Sequence, residues 1–290
     1  MSGNRNNLAR WWQRLARHRG AALGVAFLLV LTFLAIFAPL LSLDPLAQDY
    51  ANVLAGPSAA HWFGTDELGR DILARVVYGA RTSLITAVGA VAIAGAAGVP
   101  MGLVSGFFGG WRDDVLMRAV DVLLALPGIL LAMALIAILG RSQLSALVAV
   151  GITGIPSFAR VTRAQVLSLR RRDFVLAVEA FGGSASYSMF RTVLPNSWSP
   201  ILVQAVVLAA VAILLEAALS FLGVGIAPPT PSWGQMLDTG KEYLHEAPTY
   251  AVLPGIALTL TILSLDTIGR ALAAEIERGE AQAAPAEDEA

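Results

Sequence analysis

Cysteine is absent from this chain of 290 residues, and charge is scarce, with Asp, Glu, Lys and Arg making up only 14% of it. Without cysteine there is no disulfide, no thiolate metal site and no cysteine nucleophile. A soluble domain ordinarily carries about 25% charged and about 45–50% apolar residues. Here 56% are hydrophobic and the mean hydropathy is +0.67, a balance that points to a bilayer protein. A net charge of −1 argues against nucleic acid as a partner. The motifs G-x-x-x-x-G-K-[ST], H-E-x-x-H and G-x-S-x-G are also missing, which removes a phosphate-binding loop, a zinc-hydrolase helix and a serine-hydrolase elbow in those forms. His61 has no second histidine or carboxylate at ligand spacing, so no metal site is expected there.

What is present is a series of apolar stretches. Residues 1–20 come first and are basic, with Arg5, Arg10, Arg14, Arg17 and Arg19 and no acid. Leu8, Trp11, Trp12 and Leu15 fall between them at helical spacing, which predicts an amphipathic helix on the membrane surface. A secretory signal is the alternative, but the apolar run that follows is too long and lacks a clean cleavage site. The spacing then predicts membrane helices over about 21–41, 82–108, 115–139, 144–159, 201–222 and 250–268, since a crossing needs roughly 20 helical residues. Thr65 or Asp66 is expected to cap the second helix and Pro100 to kink it. The fourth stretch is short and interrupted by Gly151, Gly154 and Pro156. Such spans often line a cavity, and irregular packing explains them equally well. Residues 276–290 alternate alanine with acids and read as a disordered tail.

Two further patterns concern the membrane interior. Gly98, Gly102, Gly106 and Gly110 recur every four residues, continued upstream by Ala90 and Ala94. Small residues at that interval let two helix backbones approach in lipid, so this face is expected to pack on another helix. Asp121, Glu216 and Asp266 are acids within or near the ends of apolar spans, of no assigned role. Arginines concentrate in residues 1–20, in the stretch from Arg160 to Arg191 and near the C-terminus, and the positive-inside rule therefore puts both termini and residues 160–200 in the cytoplasm. Residue chemistry alone leaves a transporter subunit, a channel, a proton-coupled carrier and an intramembrane enzyme open.

Residues 160–200 carry more. From Leu176-Ala177-Val178, three residues lead to Gly182, and Leu194-Pro195 stand twelve and thirteen residues after it. This resembles the cytoplasmic signature loop of binding-protein-dependent ABC importer permeases, which reads E-A-A, three residues, Gly, nine residues, a branched apolar residue, one residue, Leu-Pro. The acid position is Leu176 here and the branched position Thr192, while Glu179 stands three positions too late. The blocks His61 to Asp71, Tyr78 to Leu84, Asp121 to Pro127, Glu216 to Gly223 and Pro231 to Leu237 are similar to the C-type permeases of dipeptide, oligopeptide and nickel importers. Arg270 after Gly269 departs from the acid expected there.

The resemblance implies an all-α membrane fold, with a six-span permease domain over 21–275 of the type I importer kind and a coupling helix in 160–200. It implies a peptide or related small solute as cargo, a bacterial plasma membrane location, a paralogous permease in a heterodimer, two ABC ATPase subunits and an extracytoplasmic solute-binding protein. No cofactor is implied in this chain, and ATP with Mg²⁺ would be bound by the ATPases. The residues implied in ATPase coupling are Arg171, Arg172, Asp173, Phe174, Ala177, Phe181, Gly182, Leu194 and Pro195. In this picture Gly182 allows close approach or a sharp turn and Pro195 ends the element. A carrier using Asp121, Glu216 or Asp266 as proton sites is the alternative.

Overall fold

The computed structural model of the protein describes residues 19–40 and 44–283, with side chains through residue 278. The surface helix expected over 1–20 lies outside the described residues except for Arg19 and Gly20, which open the first helix. The principal helices are α1 (Arg19–Phe37), α2 (Ile72–Phe108), α3 (Gly110–Leu124), α4 (Gly128–Leu139), α5 (Gln143–Leu169), α6 (Asp173–Ala180), α7 (Trp198–Phe221), α8 (Trp233–Gly240) and α9 (Thr249–Ala283). The architecture is all-α. α1, α2, α5, α7 and α9 are each long and apolar enough to cross a bilayer, and α3 with α4 makes a sixth crossing if the two are counted together.

The expected third span over 115–139 is not one rod. α3 and α4 meet at 85°, because Ala125-Leu126-Pro127 interrupts the hydrogen-bond ladder: Pro127 has no N–H and biases Leu126 away from helical angles. The expected fourth span over 144–159 errs the other way. α5 continues unbroken through Gly151, Gly154 and Pro156 to Leu169, and so takes in Arg160 and Arg163, which the sequence pattern assigns to the loop. Its glycines serve contact with neighbouring helices. A Cβ at Gly151 would lie 2.8 Å from the Cβ of Ile93, and one at Gly154 would lie 2.6 Å from Leu208.

α2 and α5 form the spine of the bundle. A Cβ at Gly98 would come within 2.6 Å of the Ile155 carbonyl oxygen, one at Gly102 would overlap the Ala159 carbonyl oxygen, and one at Gly106 would lie 2.9 Å from that of Arg163. The contact advances four residues on both helices together, so they run parallel with backbones touching, the arrangement that small residues at fourfold spacing permit. α2 continues helically through Pro100. Gly110 does not join the row: with φ of 58° and open space around it, it makes the turn into α3 with Gly109. Ala87, Ala90, Ala132, Ala146, Ala149 and Ala212 dominate the core beside this spine. Close helix packing, more than large side chains, fills the interior.

The start of α2 also differs from expectation. Asp71, not Thr65 or Asp66, caps it, accepting from the Ala74 N–H at 2.8 Å. Thr65 and Asp66 are fully buried and secure the preceding loop. Asp66 accepts from the N–H groups of Leu68 and Arg70 and from Arg70 Nε at 2.6 Å, with Arg75 Nε 3.3 Å away. Arg70 also reaches Glu67 at 2.8 Å, and Thr249 at the head of α9 donates to the Phe63 carbonyl. Residues 44–71 thereby form a folded cover over one end of the bundle, beside α8, whose Trp233 is fully buried and donates to the Val76 carbonyl. At the C-terminus α9 extends to Ala283, so the tail expected over 276–290 is helical up to there, and residues 284–290 lie outside the described residues.

Candidate functional site

The opposite end of the bundle is built differently. α5 ends at Leu169, and residues 170–172 turn the chain into α6 through Arg170 N–H to the Val166 carbonyl and Arg172 N–H to the Leu169 carbonyl. Arg172 occupies the N-cap position without a side-chain cap, and Asp173 places its carboxylate in the first turn, where the helix dipole favours it. Val175 is the one buried residue of α6. It packs with Leu103 and Phe107 of α2, Val166 of α5, and Met189 and Val193. Arg170 lies over the Phe107 ring, 5.4 Å from its centroid.

Most other apolar residues of this segment face away from the protein, Val178 being partly buried. Phe174 is 44% exposed, Leu176 at the motif's acid position 49%, and Phe181 93%. Arg171, Arg172, Asp173 and Ala177 share this exposed surface. Burying a side chain of this size is worth about 1.5–3 kcal/mol, which the isolated chain forgoes here.

α6 closes with Phe181, followed by Gly182 in a left-handed conformation, φ 83°. The Gly183 N–H reaches the Val178 carbonyl at 2.8 Å and the Gly182 N–H that of Glu179 at 3.0 Å, the paired bonds of a Schellman stop. The two roles foreseen for Gly182 are thus divided. Gly182 makes the turn with nothing around it, and Gly183 makes the close approach, since a Cβ there would lie 2.7 Å from the Val178 oxygen. Pro195 does not end the element. The chain is helical over most of residues 185–196, widened to a π-turn over Ser188–Val193, and α7 follows after Ser197. The wider turn accommodates the missing Pro195 N–H. Leu194 is partly buried against the Val175 cluster.

Behind this segment, Arg163 forms a two-point pair with Asp113 of α3, Nε to Oδ1 at 2.7 Å and Nη2 to Oδ2 at 2.6 Å, and Ser105 of α2 also donates to Asp113. Neither residue stood out in the sequence. The spacing of Asp113 from Arg163 across fifty residues carries no local signal. Asp121 pairs with Arg160 at 2.8 Å, both more than half exposed. Asp266 pairs with Arg270 one helical turn on, on an exposed surface.

Glu216 differs from these two acids. Its side chain is fully buried. Oε1 accepts from Ser220 and Ser232, each at 2.9 Å, and Oε2 from Ser83 at 3.1 Å. The carboxylate therefore joins α2, α7 and the residue that precedes α8. Ser220 was legible as the i+4 neighbour. Ser83 and Ser232 are brought in by the fold. All three acids have partners inside the chain.

Comparison with known proteins gives a consistent set of relatives. Residues 98–278 match the family described as binding-protein-dependent transport system inner membrane component, and residues 7–57 match the N-terminal TM domain of oligopeptide transport permease C. A dipeptide transport system permease protein of Alkalihalophilus pseudofirmus is 43% identical over 90% of this chain and 86% of its own length. A di/tripeptide transport system permease protein of Pseudomonas aeruginosa is 40% identical over 91% of this chain and 90% of its own. A glutathione transport system permease protein of Shigella dysenteriae is 41% identical over 90% and 87%. Among solved structures, the methionine ABC transporter MetNI in an inward-facing conformation superposes with a TM-score of 0.54 at 19% identity, over 69% of this chain and 97% of that one. That likeness concerns the fold.

Proposed function

The chain belongs to the inner-membrane components of binding-protein-dependent transport systems, and on that premise we propose that it carries peptides as one of two paired, non-identical permeases. It is a multi-pass permease subunit of an ABC importer and works with ATPase and solute-binding subunits. The relatives named for dipeptides, di- and tripeptides and glutathione support a short peptide as cargo. ATP and Mg²⁺ belong to the ATPase subunits, and this chain supplies no hydrolytic group. Both termini and α6 face the cytoplasm, in keeping with the arginine distribution, and the cover over residues 44–71 faces the side from which solute arrives.

The observation that carries this reading is the outward display of Phe174, Leu176 and Phe181 on a helix held by the single buried Val175. A short helix with its apolar residues turned out is shaped to enter a groove on a partner. α6 is therefore the ATPase contact, with Arg171, Arg172, Asp173 and Ala177 around the apolar centre and Gly182 setting where it stops. Leu194 holds the returning chain against the bundle, with Pro195 exposed beside it. ATP-driven approach of the ATPases would shift α6, and with it α5, between two packed arrangements.

Reconstitution tests it. The complete importer in proteoliposomes, supplied with its binding protein and a labelled dipeptide, should show ATP-dependent uptake. Phe181→Asp should abolish uptake and solute-stimulated ATP hydrolysis while the two permeases still copurify. Uptake by this chain alone under a proton gradient, without ATP, would instead establish the carrier alternative.

A further inference from the structure

α1, with α9, is the least embedded of the spanning helices. It rests on α9 and α2, and Gly24 meets the Ser264 backbone of α9. Between α1, α2 and α5 a groove of about 530 Å³ remains, its walls including Thr32, Ile36, Arg81, Ile85, Val88 and Leu147. That volume lies within the roughly 300–1,000 Å³ of small-molecule sites. Ile36, Ile85 and Val88 are 63%, 45% and 70% exposed, so the walls are apolar and open toward lipid. Arg81 is the one charged residue among them.

The position of Arg81 fixes the polarity of the groove. Its neighbour Thr82 accepts from Gln143 Nε2 at 3.4 Å, which puts Arg81 level with the first residue of α5 and the non-helical Gly140-Arg141-Ser142. This is where the chain leaves its apolar layer. From Arg81, Ile85 and Val88 follow one and two turns inward along α2, and on α1 Thr32 lies a turn deeper than Ile36. The groove thus runs from a cation at the membrane boundary into the hydrocarbon.

The Arg81 guanidinium makes no hydrogen bond or ion pair among the described residues. Arg141 at the same level is exposed and likewise makes none there. A guanidinium offers a planar fork of donors suited to phosphate. We propose that the groove is a site for an anionic phospholipid, whose phosphate pairs with Arg81 and whose acyl chain lies along Ile36, Ile85 and Val88. The lipid fills the space between α1 and the α2–α5 spine and couples the first helix to the bundle. Its charge selectivity rests on Arg81, and its tail contact on the open apolar walls.

Native mass spectrometry of the complete importer, released from nanodiscs of equal parts phosphatidylglycerol and phosphatidylcholine, tests the site. Wild type should retain phosphatidylglycerol in preference to phosphatidylcholine. Arg81→Gln should lower that retention about fivefold, Arg81→Lys should keep most of it, and Val88→Trp should lower it by filling the groove with the guanidinium intact. Thermal unfolding in detergent establishes that each variant is folded. Equal retention of the two lipids by wild type, or retention unchanged in both Arg81→Gln and Val88→Trp, overturns the proposal. If Arg81→Gln instead separates the two permeases with lipid retention unchanged, the occupant is the partner permease and the lipid site is refuted.

Discussion

The two ends of the bundle handle their side chains in opposite ways. At the covered end, charged residues are buried and joined to one another: Asp66 with Arg70 and Arg75, Glu216 with three serines. At the α6 end, large apolar residues stand exposed and Val175 is the one buried residue of α6 itself. A polar group costs free energy when buried unless it is paired, so the buried charges of the covered end draw their main partners from this chain. An apolar group left in water is unfavourable until something covers it, so the α6 end is complete only in an assembly. Substitutions at the first end should therefore register as lost stability, and those at the second as lost coupling.

The largest effect on stability is expected from Asp66→Ala, which leaves the buried Arg75 guanidinium without a carboxylate and Arg70 with Glu67 alone. A loss of roughly 3–5 kcal/mol is expected, read as a lower midpoint of thermal unfolding and a reduced yield of inserted protein. If the midpoint did not move, the covered end would not be the self-sufficient one. Glu216→Ala comes next, at about 3 kcal/mol, because three buried hydroxyls lose their acceptor. Glu216→Gln keeps an acceptor oxygen and should cost about 1 kcal/mol. A proton-driven role for this acid would make Gln as damaging to uptake as Ala, which an uptake assay with both variants distinguishes.

Gly182→Leu places a side chain at φ 83°, a strain of about 1–2 kcal/mol. Gly182→Asn should recover most of it, because asparagine tolerates that region. If uptake returns with asparagine, the backbone turn is what matters there. Phe181→Ala should have the smallest effect on stability, within about 0.5 kcal/mol, yet uptake should fall about tenfold if the ring is an interface anchor. Unchanged uptake would remove α6 from the contact and dissolve the contrast between the two ends.

Sequence patterns conveyed the apolar helices well, since each crossing needs a run long enough to read. They failed where backbone geometry outweighed composition. Pro156 and Pro127 look alike in sequence, but Pro156 sits inside an unbroken α5 while Pro127 lies at an 85° bend. Pro127 follows two residues that already leave the ladder, and Pro156 is buried against packed neighbours. Arg160 and Arg163 read as loop because of their charge, although Asp121 and Asp113 on α3 give them partners along a helix. For the site, the interval from Gly182 to Leu194-Pro195 was visible, whereas the division of work between Gly182 and Gly183 depends on a positive φ that no spacing encodes. The serines around Glu216 come from three separate segments, which only the tertiary fold brings to one carboxylate.

The contact between α2 and α5 has a mechanical consequence. Where Gly98, Gly102 and Gly106 leave no side chain between two parallel backbones, neither helix can rotate or slide without the other, so the pair turns as one bar. α5 is 27 residues long, about 40 Å at the helical rise. A tilt of about 5° pivoting at its far end displaces the end next to α6 by roughly 3.5 Å, more than half the pitch of a helical turn. Small angular changes near the buried serine cage thus become displacements of atomic size at the exposed phenylalanines, and the same ratio works in reverse.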